Sequence, residues 1–288
     1  MATVHRSRRF QHLLTGLALC GLATASVGAG ISTGPFVNVN GKYVLYSYPA
    51  APYARQGVVY APLVSFAELL GIRVTQNANP AAVTLNLNGK SFAFRVVGSR
   101  LVGVAGGHSQ VPVERLPGGT LVAALPPLLD ALKVSYQLDA TGLRVTDQRF
   151  LNPQRPPGQQ STYANGLPNI YKSWDYFFLD QAFPESRNFV PTNFALSQAT
   201  GSVTVEARFN LREPRRPSEG LSVMVYHSNA AISVKGDGLK PPPEPPPLPP
   251  SSRCQYMAQA VRCTLKTDIQ KLKGAHVQYV LVHAFNTP

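Results

Sequence analysis

The feature that most constrains how this chain can fold is an internal repeat. Residues 36–147 divide into two copies of one unit, offset by 62 residues. Gly57, Leu63, Phe66, Leu70 and Val83 of the first copy fall on Gly119, Leu125, Leu128, Leu132 and Val145 of the second, with Glu68 on Asp130 and Gly41 on Gly103. Within the first copy the hydrophobic period changes from 2 to 3.6 and back, which predicts strand, short helix, strand. Val37 and Val39 alternate ahead of an Asn40-Gly41 turn, and Tyr43 to Tyr46 and then Val58-Val59-Tyr60 continue as strands. Leu63, Phe66, Leu69 and Leu70 share one face of a helix predicted over 62–70, and Gly71 is its natural stop. Strands over 72–76 and 82–87 close the unit, with Asn88-Gly89 as a hairpin turn. The expected fold of this half is α+β, two ββαββ-like units.

The strings VVYAPLVSFAELLGIRVTQ and AVTLNLNGKSF resemble the copper amine oxidase N-terminal-like domain of bacterial envelope proteins. The matching residues are Pro62, Leu63, Phe66, Ala67, Glu68, Leu70, Gly71 and Val74. The second copy departs from that pattern, with Ala124 in place of the Pro and Lys133 in place of the Gly. Gln76 and Gln137 stand where the family has a Trp. The resemblance implies strands wrapping a helix over residues 36–147, and an envelope-facing module that binds or spaces. It implies no copper or quinone chemistry here, because those belong to a different domain of the oxidase. Glu68 is expected as a surface charge and His108 as a loop residue.

Residues 148–168 are aperiodic and rich in Pro, Gln and Gly, the composition of a linker. Residues 169–288 are expected to form an all-β sandwich. Trp174 and its aromatic neighbours open it and are expected in its core. Val203, Val205, Ala207 and Phe209 alternate with polar residues, as do Leu221, Val223 and Val225. The last strand, over 276–285, is expected to put Val277, Tyr279, Leu281, His283 and Phe285 on one face. Eight of the ten residues in 241–250 are Pro, so this insertion is expected to be a polyproline II arm about 31 Å long. Cys254 and Cys263 follow it and are expected to pair. The segment around them resembles a disulfide hairpin of bacterial Ig-like repeat domains, which implies an adhesion or scaffold module.

Arg6, Arg8 and Arg9 precede a short apolar run that ends in Ala23-Thr24-Ala25, the layout of a secretory signal peptide over residues 1–25. Cys20 sits in a segment similar to a lipoprotein box, with Leu19 where a small residue is usual. The chain carries 27 Lys+Arg against 14 Asp+Glu, a net charge of +13. Cleavage at Ala25 leaves 24 basic residues against 14 acidic ones. The expected destination is the periplasm, the cell surface or the outer envelope. The expected partner is an envelope protein or wall polymer, in a surface or S-layer assembly, or a second copy of the chain in a homo-oligomer. Nucleic acid is not expected, because the basic residues are scattered and their densest run, Arg212 to Arg216, is a short Pro-containing loop. No apolar run reaches the ~20 residues a membrane helix needs, so no transmembrane helix is expected in the mature chain.

The sequence carries no nucleophile elbow, zinc-protease or phosphate-loop motif. Three of the four histidines beyond the leader, His227, His276 and His283, lie in the second half. Imidazoles on a disulfide-bridged sandwich could hold copper, and copper–zinc superoxide dismutases also use a disulfide-bearing β-sandwich. Two functions are therefore expected in order: a non-catalytic envelope binding or scaffold protein with no cofactor, and a copper-dependent superoxide dismutase using His227, His276 and His283. The copper alternative requires the three rings to converge. In an unbroken strand His276 and His283 face opposite sides, so a bulge or an end-of-strand twist would be needed.

Overall fold

The computed structural model describes residues 30–146 and 186–286, apart from 33, 35, 40, 78–80, 88, 105–108, 140–141, 200–201, 228–252 and 269–275. The expected signal peptide over 1–25 with Cys20, His108, the expected linker over 148–168, Trp174 and its neighbours, and the Pro-rich segment 241–250 all lie outside the described residues.

The described chain is mostly β-strand, with two helices. In order the elements are β1 (Gly30–Ser32), β2 (Phe36–Val39), β3 (Lys42–Ser47), β4 (Tyr53–Arg55), β5 (Val58–Pro62) and α1 (Leu63–Leu69). Next come β6 (Arg73–Asn77), β7 (Ala82–Leu87), β8 (Lys90–Val97), β9 (Arg100–Gly103), β10 (Gln110–Arg115), β11 (Leu121–Ala124) and α2 (Leu125–Leu132). The rest are β12 (Tyr136–Asp139), β13 (Gly142–Val145), β14 (Phe189–Ala199), β15 (Ser202–Leu211), β16 (Glu219–His227), β17 (Arg253–Tyr256), β18 (Ala260–Asp268) and β19 (Val277–Asn286).

Three sheets result: β1-β14-β15-β18-β17, β12-β13-β2-β3-β19-β16, and β4-β5-β11-β10-β9-β8-β7-β6. The six-stranded sheet is the middle layer. One face packs on the five-stranded sheet, where Phe36, Tyr43, Leu45, Val280 and Val282 meet Phe194, Val205 and Phe209. The other face packs on both helices and the eight-stranded sheet, where Val37, Val39, Val44, Tyr279 and Leu281 meet Phe66, Leu85, Leu101 and Leu129. With cores on both sides, β2 and β3 are buried at every position rather than alternately. Alternation selects which core each side chain enters up to Leu45, where a register shift against β19 puts both Leu45 and Tyr46 against the five-stranded sheet.

The expected division at 148–168 is not a break in the sheets. The last strand, β19, pairs antiparallel with β3 of the first half, with Val282 opposite Tyr43 and His283 opposite Lys42. At the other end β1 pairs with β14, Ile31 opposite Ala195. The layer facing the five-stranded sheet is thus built from both halves, with Phe36, Tyr43, Leu45 and Tyr46 from the first and Leu221, Val223, Val277, Val280, Val282 and Ala284 from the second. β2 and β3 by themselves would leave one apolar face in water, and the same is true of β16 and β19. Pairing the two hairpins covers both.

The segments β5-α1-β6-β7 and β11-α2-β12-β13 follow one another in the same order. β5 and β11 pair antiparallel, with Ala61 opposite Ala123 and flanking pairs Tyr60–Ala124 and Pro62–Val122. These pairs are related by the same 62-residue offset, so an approximate two-fold axis passes between Ala61 and Ala123. Both helices end alike. Ile72 N–H donates to Ala67 O (3.0 Å) and Gly71 N–H to Glu68 O (2.9 Å), while Val134 N–H donates to Leu129 O (2.9 Å) and Lys133 N–H to Asp130 O (3.1 Å). That is a Schellman motif at each end, and its left-handed residue is Gly71 (φ 64) in one and Lys133 (φ 57) in the other.

Gly142 has a different task. It lies opposite Phe36 in the parallel β13–β2 pair, at φ 131, and a Cβ there would sit 2.0 Å from Phe36 O. Only glycine lets these two backbones approach.

Cys254 and Cys263 are directly opposite across β17 and β18 and form a disulfide. β15 buries Val203, Val205, Ala207 and Phe209, as their alternation predicts. In the last strand the expected single face is split. Val277 enters the core against the five-stranded sheet, while Tyr279 and Leu281 enter the other. The cause is a bulge: His227 pairs with Val277 and Tyr226 with Tyr279, which leaves Gln278 without an opposite residue.

Candidate functional site

The histidines do not gather. The bulge that the copper alternative needs is present at Gln278, but His276 precedes β19 and His283 lies near its far end. At ~3.3 Å per residue the two are roughly 20 Å apart along the strand. His276 packs at a tilt on Tyr48, ring centroids 3.8 Å apart, and its Nε2 lies 3.0 Å from Gln278 Oε1. His283 sits between Ser222 of β16 and the buried Lys42 of β3. Burial, and then the Lys42 cation, push its pKa down to about 4, so the ring is neutral at pH 7. His227 ends the paired part of β16, and its side chain lies outside the described residues. Among the described residues no group of three or more His, Cys, Asp or Glu is placed to hold a metal ion. No described helix is long and apolar enough to cross a membrane.

Glu68, expected as a surface charge, joins the two halves instead. Tyr279 Oη on β19 donates toward Ser65 O (3.0 Å) and Glu68 Oε2 (3.1 Å) on α1. Ser65 Oγ in turn donates to Tyr48 O. This is a structural link between the last strand and the first helix.

The loop of Arg212 to Arg216, expected as simply solvated, is pinned from below. Glu219 is buried and accepts from Asn188 Nδ2 (2.8 Å), Arg216 N–H (3.0 Å) and Ser186 Oγ (3.1 Å). Burial pushes its carboxyl up, but the bonds from Arg216 N–H, Asn188 and Ser186 outweigh that and hold it below the usual carboxylate range. Arg215 donates to Glu219 O at 2.6 Å and lies 4.2 Å over the ring of Tyr256. The Arg215 guanidinium is therefore engaged in holding the loop together.

The outward face of the eight-stranded sheet carries a group of exposed basic side chains. Its inward face carries Val83, Leu85, Phe94, Leu101 and Val111 into the core. The alternate positions therefore face water. Arg73, Arg95 and Arg100 are all exposed there. The register sets Arg73 opposite Asn86, Arg95 opposite Ala82 and Val102, and Arg100 opposite Pro112. At one end of the sheet a small cluster covers β5 and β11. Tyr53 and Tyr60 stack at 5.6 Å, and Glu114 accepts from Tyr53 Oη (2.9 Å) and Arg55 Nη1 (2.6 Å). Burial, and then Glu114, push the Tyr53 phenol well above its ordinary value.

The sequence reasoning passed over these arginines because they are far apart along the chain. One signal could have found them. Between Glu68 and Glu114 there is no Asp or Glu, while Arg73, Lys90, Arg95 and Arg100 fall in that interval. Combined with the strand alternation, that puts the arginines on one face with no acid among β6 to β9.

No protein-family model matches this chain, and neither a curated protein nor a solved structure matches it.

Proposed function

We propose that this chain is an exported, non-catalytic component of a cell envelope that binds or spaces an envelope polymer or surface-layer protein. In this reading residues 36–147 are two copies of a unit of the amine-oxidase N-terminal-like kind, built around the Ala61–Ala123 axis. The second half is an Ig-like sandwich that borrows its inner strands from the first. The observation that carries the reading is the Cys254–Cys263 bridge on a body of open sheet faces. A cross-strand disulfide persists in oxidising compartments and is rare in reducing ones, and the leader-like residues 1–25 point the same way. The charged and amide side chains on the outer sheet face suit binding rather than bond-breaking. The superoxide dismutase alternative would need His227, His276 and His283 to close on one copper ion, and the spacing of His276 and His283 along β19 works against it.

Fractionation with thiol trapping tests the reading. The full chain is expected in the envelope fraction, with Cys254 and Cys263 inaccessible to a thiol reagent until reduced. Recovery in the cytosolic fraction with both thiols free would overturn it.

A further inference from the structure

We propose that the outward face of β6 to β10 is a docking surface for an acidic polysaccharide, a glycan chain bearing carboxylate groups. This rests on the envelope-binding reading and names the ligand class that reading leaves open. Three observations carry it.

The first is charge. Arg73, Arg95 and Arg100 project from three different strands onto one face, and β6 to β9 contain no acid to neutralise them. The nearest carboxylate on that face, Glu114, is already bonded to Arg55 and Tyr53. The second is shape. The face spans five adjacent strands at ~4.8 Å each, so it is about 19 Å across. That suits an extended chain lying over the strands better than a small molecule held in a cleft. The third is the company the arginines keep. Asn77, Asn86, Gln110, Thr75, Thr84 and Ser91 occupy outward positions beside them. Amides and hydroxyls both donate and accept, as sugar hydroxyls do, while guanidinium pairs with a carboxylate in bidentate fashion. A lipid surface would call for an apolar or aromatic rim, and single-stranded nucleic acid for aromatic stacking platforms. Neither is found on the described part of β6 to β9, where Val97, 59% exposed, is the one exposed large apolar side chain.

The basis of binding is electrostatic with hydrogen-bond support, so it weakens as salt rises. Arg100 is oriented by its neighbour, with Nη1 donating to Gln110 Oε1, and that leaves the rest of the guanidinium fork toward solvent.

The test is affinity electrophoresis of the full chain through polygalacturonate, with neutral dextran as the comparison. The wild type is expected to be retarded by polygalacturonate and not by dextran, and the retardation is expected to fall as salt is raised. The triple variant Arg73→Gln, Arg95→Gln, Arg100→Gln is expected to lose at least tenfold in affinity with unchanged melting, because all three side chains are exposed. A control, Arg208→Gln with Lys266→Gln on the five-stranded sheet, removes charge elsewhere and is expected to keep at least half of the wild-type affinity. Equal losses in both variants would mean attraction to overall positive charge and would overturn the proposal. So would binding of duplex DNA as tight as that of polygalacturonate and lost in the same triple variant, or no retardation at all. A chain that fractionates with the envelope yet ignores polygalacturonate sinks this proposal alone. A cytosolic chain with free thiols sinks the envelope reading whatever it binds in a gel.

Discussion

Helices α1 and α2 are related by the same 62-residue step and end in the same pair of backbone hydrogen bonds, but their surroundings differ. At α1 the left-handed turn is Gly71, and the helix carboxylate Glu68 accepts from Tyr279 of the last strand. At α2 the turn is Lys133, and Asp130 accepts from Tyr136 of its own hairpin at 3.3 Å, on the surface. The carboxylate of the first helix is thus tied to the last strand, while that of the second bonds within its own hairpin. An identical local hydrogen-bond pattern can therefore be kept with a poorer residue, provided that little else depends on it.

The largest expected effect comes from cutting both units free of the second half. A chain ending at residue 147 keeps β2 and β3 but loses everything that covers Phe36, Tyr43, Leu45 and Tyr46, each at most 5% exposed in the whole chain. Burying such side chains is worth roughly 1.5–3 kcal/mol apiece, so the loss rivals the whole stability of a typical domain, about 5–15 kcal/mol. The fragment is expected to show no cooperative thermal transition by circular dichroism. A melt as sharp as that of the full chain would break the comparison.

Next is acid. His283, on the strand that clasps the first unit, has its folded pKa pushed down to about 4 from 6.5. The folded state thus resists a proton that the unfolded state accepts. Stability from this group is complete above pH 6.5 and is lost as pH falls toward 4, by up to about 3 kcal/mol. Urea midpoints measured from pH 7 to 4 should fall, and His283→Gln should flatten that slope. An equal slope in the variant would place the acid sensitivity elsewhere.

Tyr279→Phe removes the hydroxyl shared by Ser65 O and Glu68, and should cost about 1–3 kcal/mol because it strands buried acceptors. Its surface counterpart, Tyr136→Phe, should stay within about 0.5 kcal/mol. Equal costs, read by denaturant titration, would erase the distinction between an embedded and a self-contained unit.

The smallest pair sharpens the helix ends. Gly71→Ala forces a side chain into the left-handed region and should destabilise by about 1 kcal/mol, while Lys133→Gly should stabilise by roughly 0.5–1 kcal/mol. No gain from Lys133→Gly would mean that the lysine side chain makes up for its backbone strain.

Much of the local structure was legible. The period change found the first strand–helix–strand run and Gly71 marked the end of its helix, while α2 lies 62 residues further on and β5 and β11 pair across Ala61 and Ala123. Lys133 showed as a departure from the pattern, though its left-handed backbone did not. The alternation of β15 followed from residue spacing, and the pairing of Cys254 with Cys263 from the cysteine count of a chain expected to be exported, while their directly opposed positions came from the structure. All of these depend on neighbours within a few tens of residues, where periodicity and turn chemistry operate.

Tertiary structure decided the rest. Alternation in Val37 to Tyr46 states that two faces differ, but not that both are covered. Only the pairing of β19 with β3 made them the middle of the molecule. The bulge at Gln278 redirected Val277 by one position and was invisible in a strand that looked unbroken. Arg73, Arg95 and Arg100 were scattered along the chain and became one surface only when β6 to β9 aligned. A one-dimensional pattern specifies which side chains share a face of their own element, because backbone geometry sets that locally. Which face meets which partner depends on covering apolar surface across the whole chain.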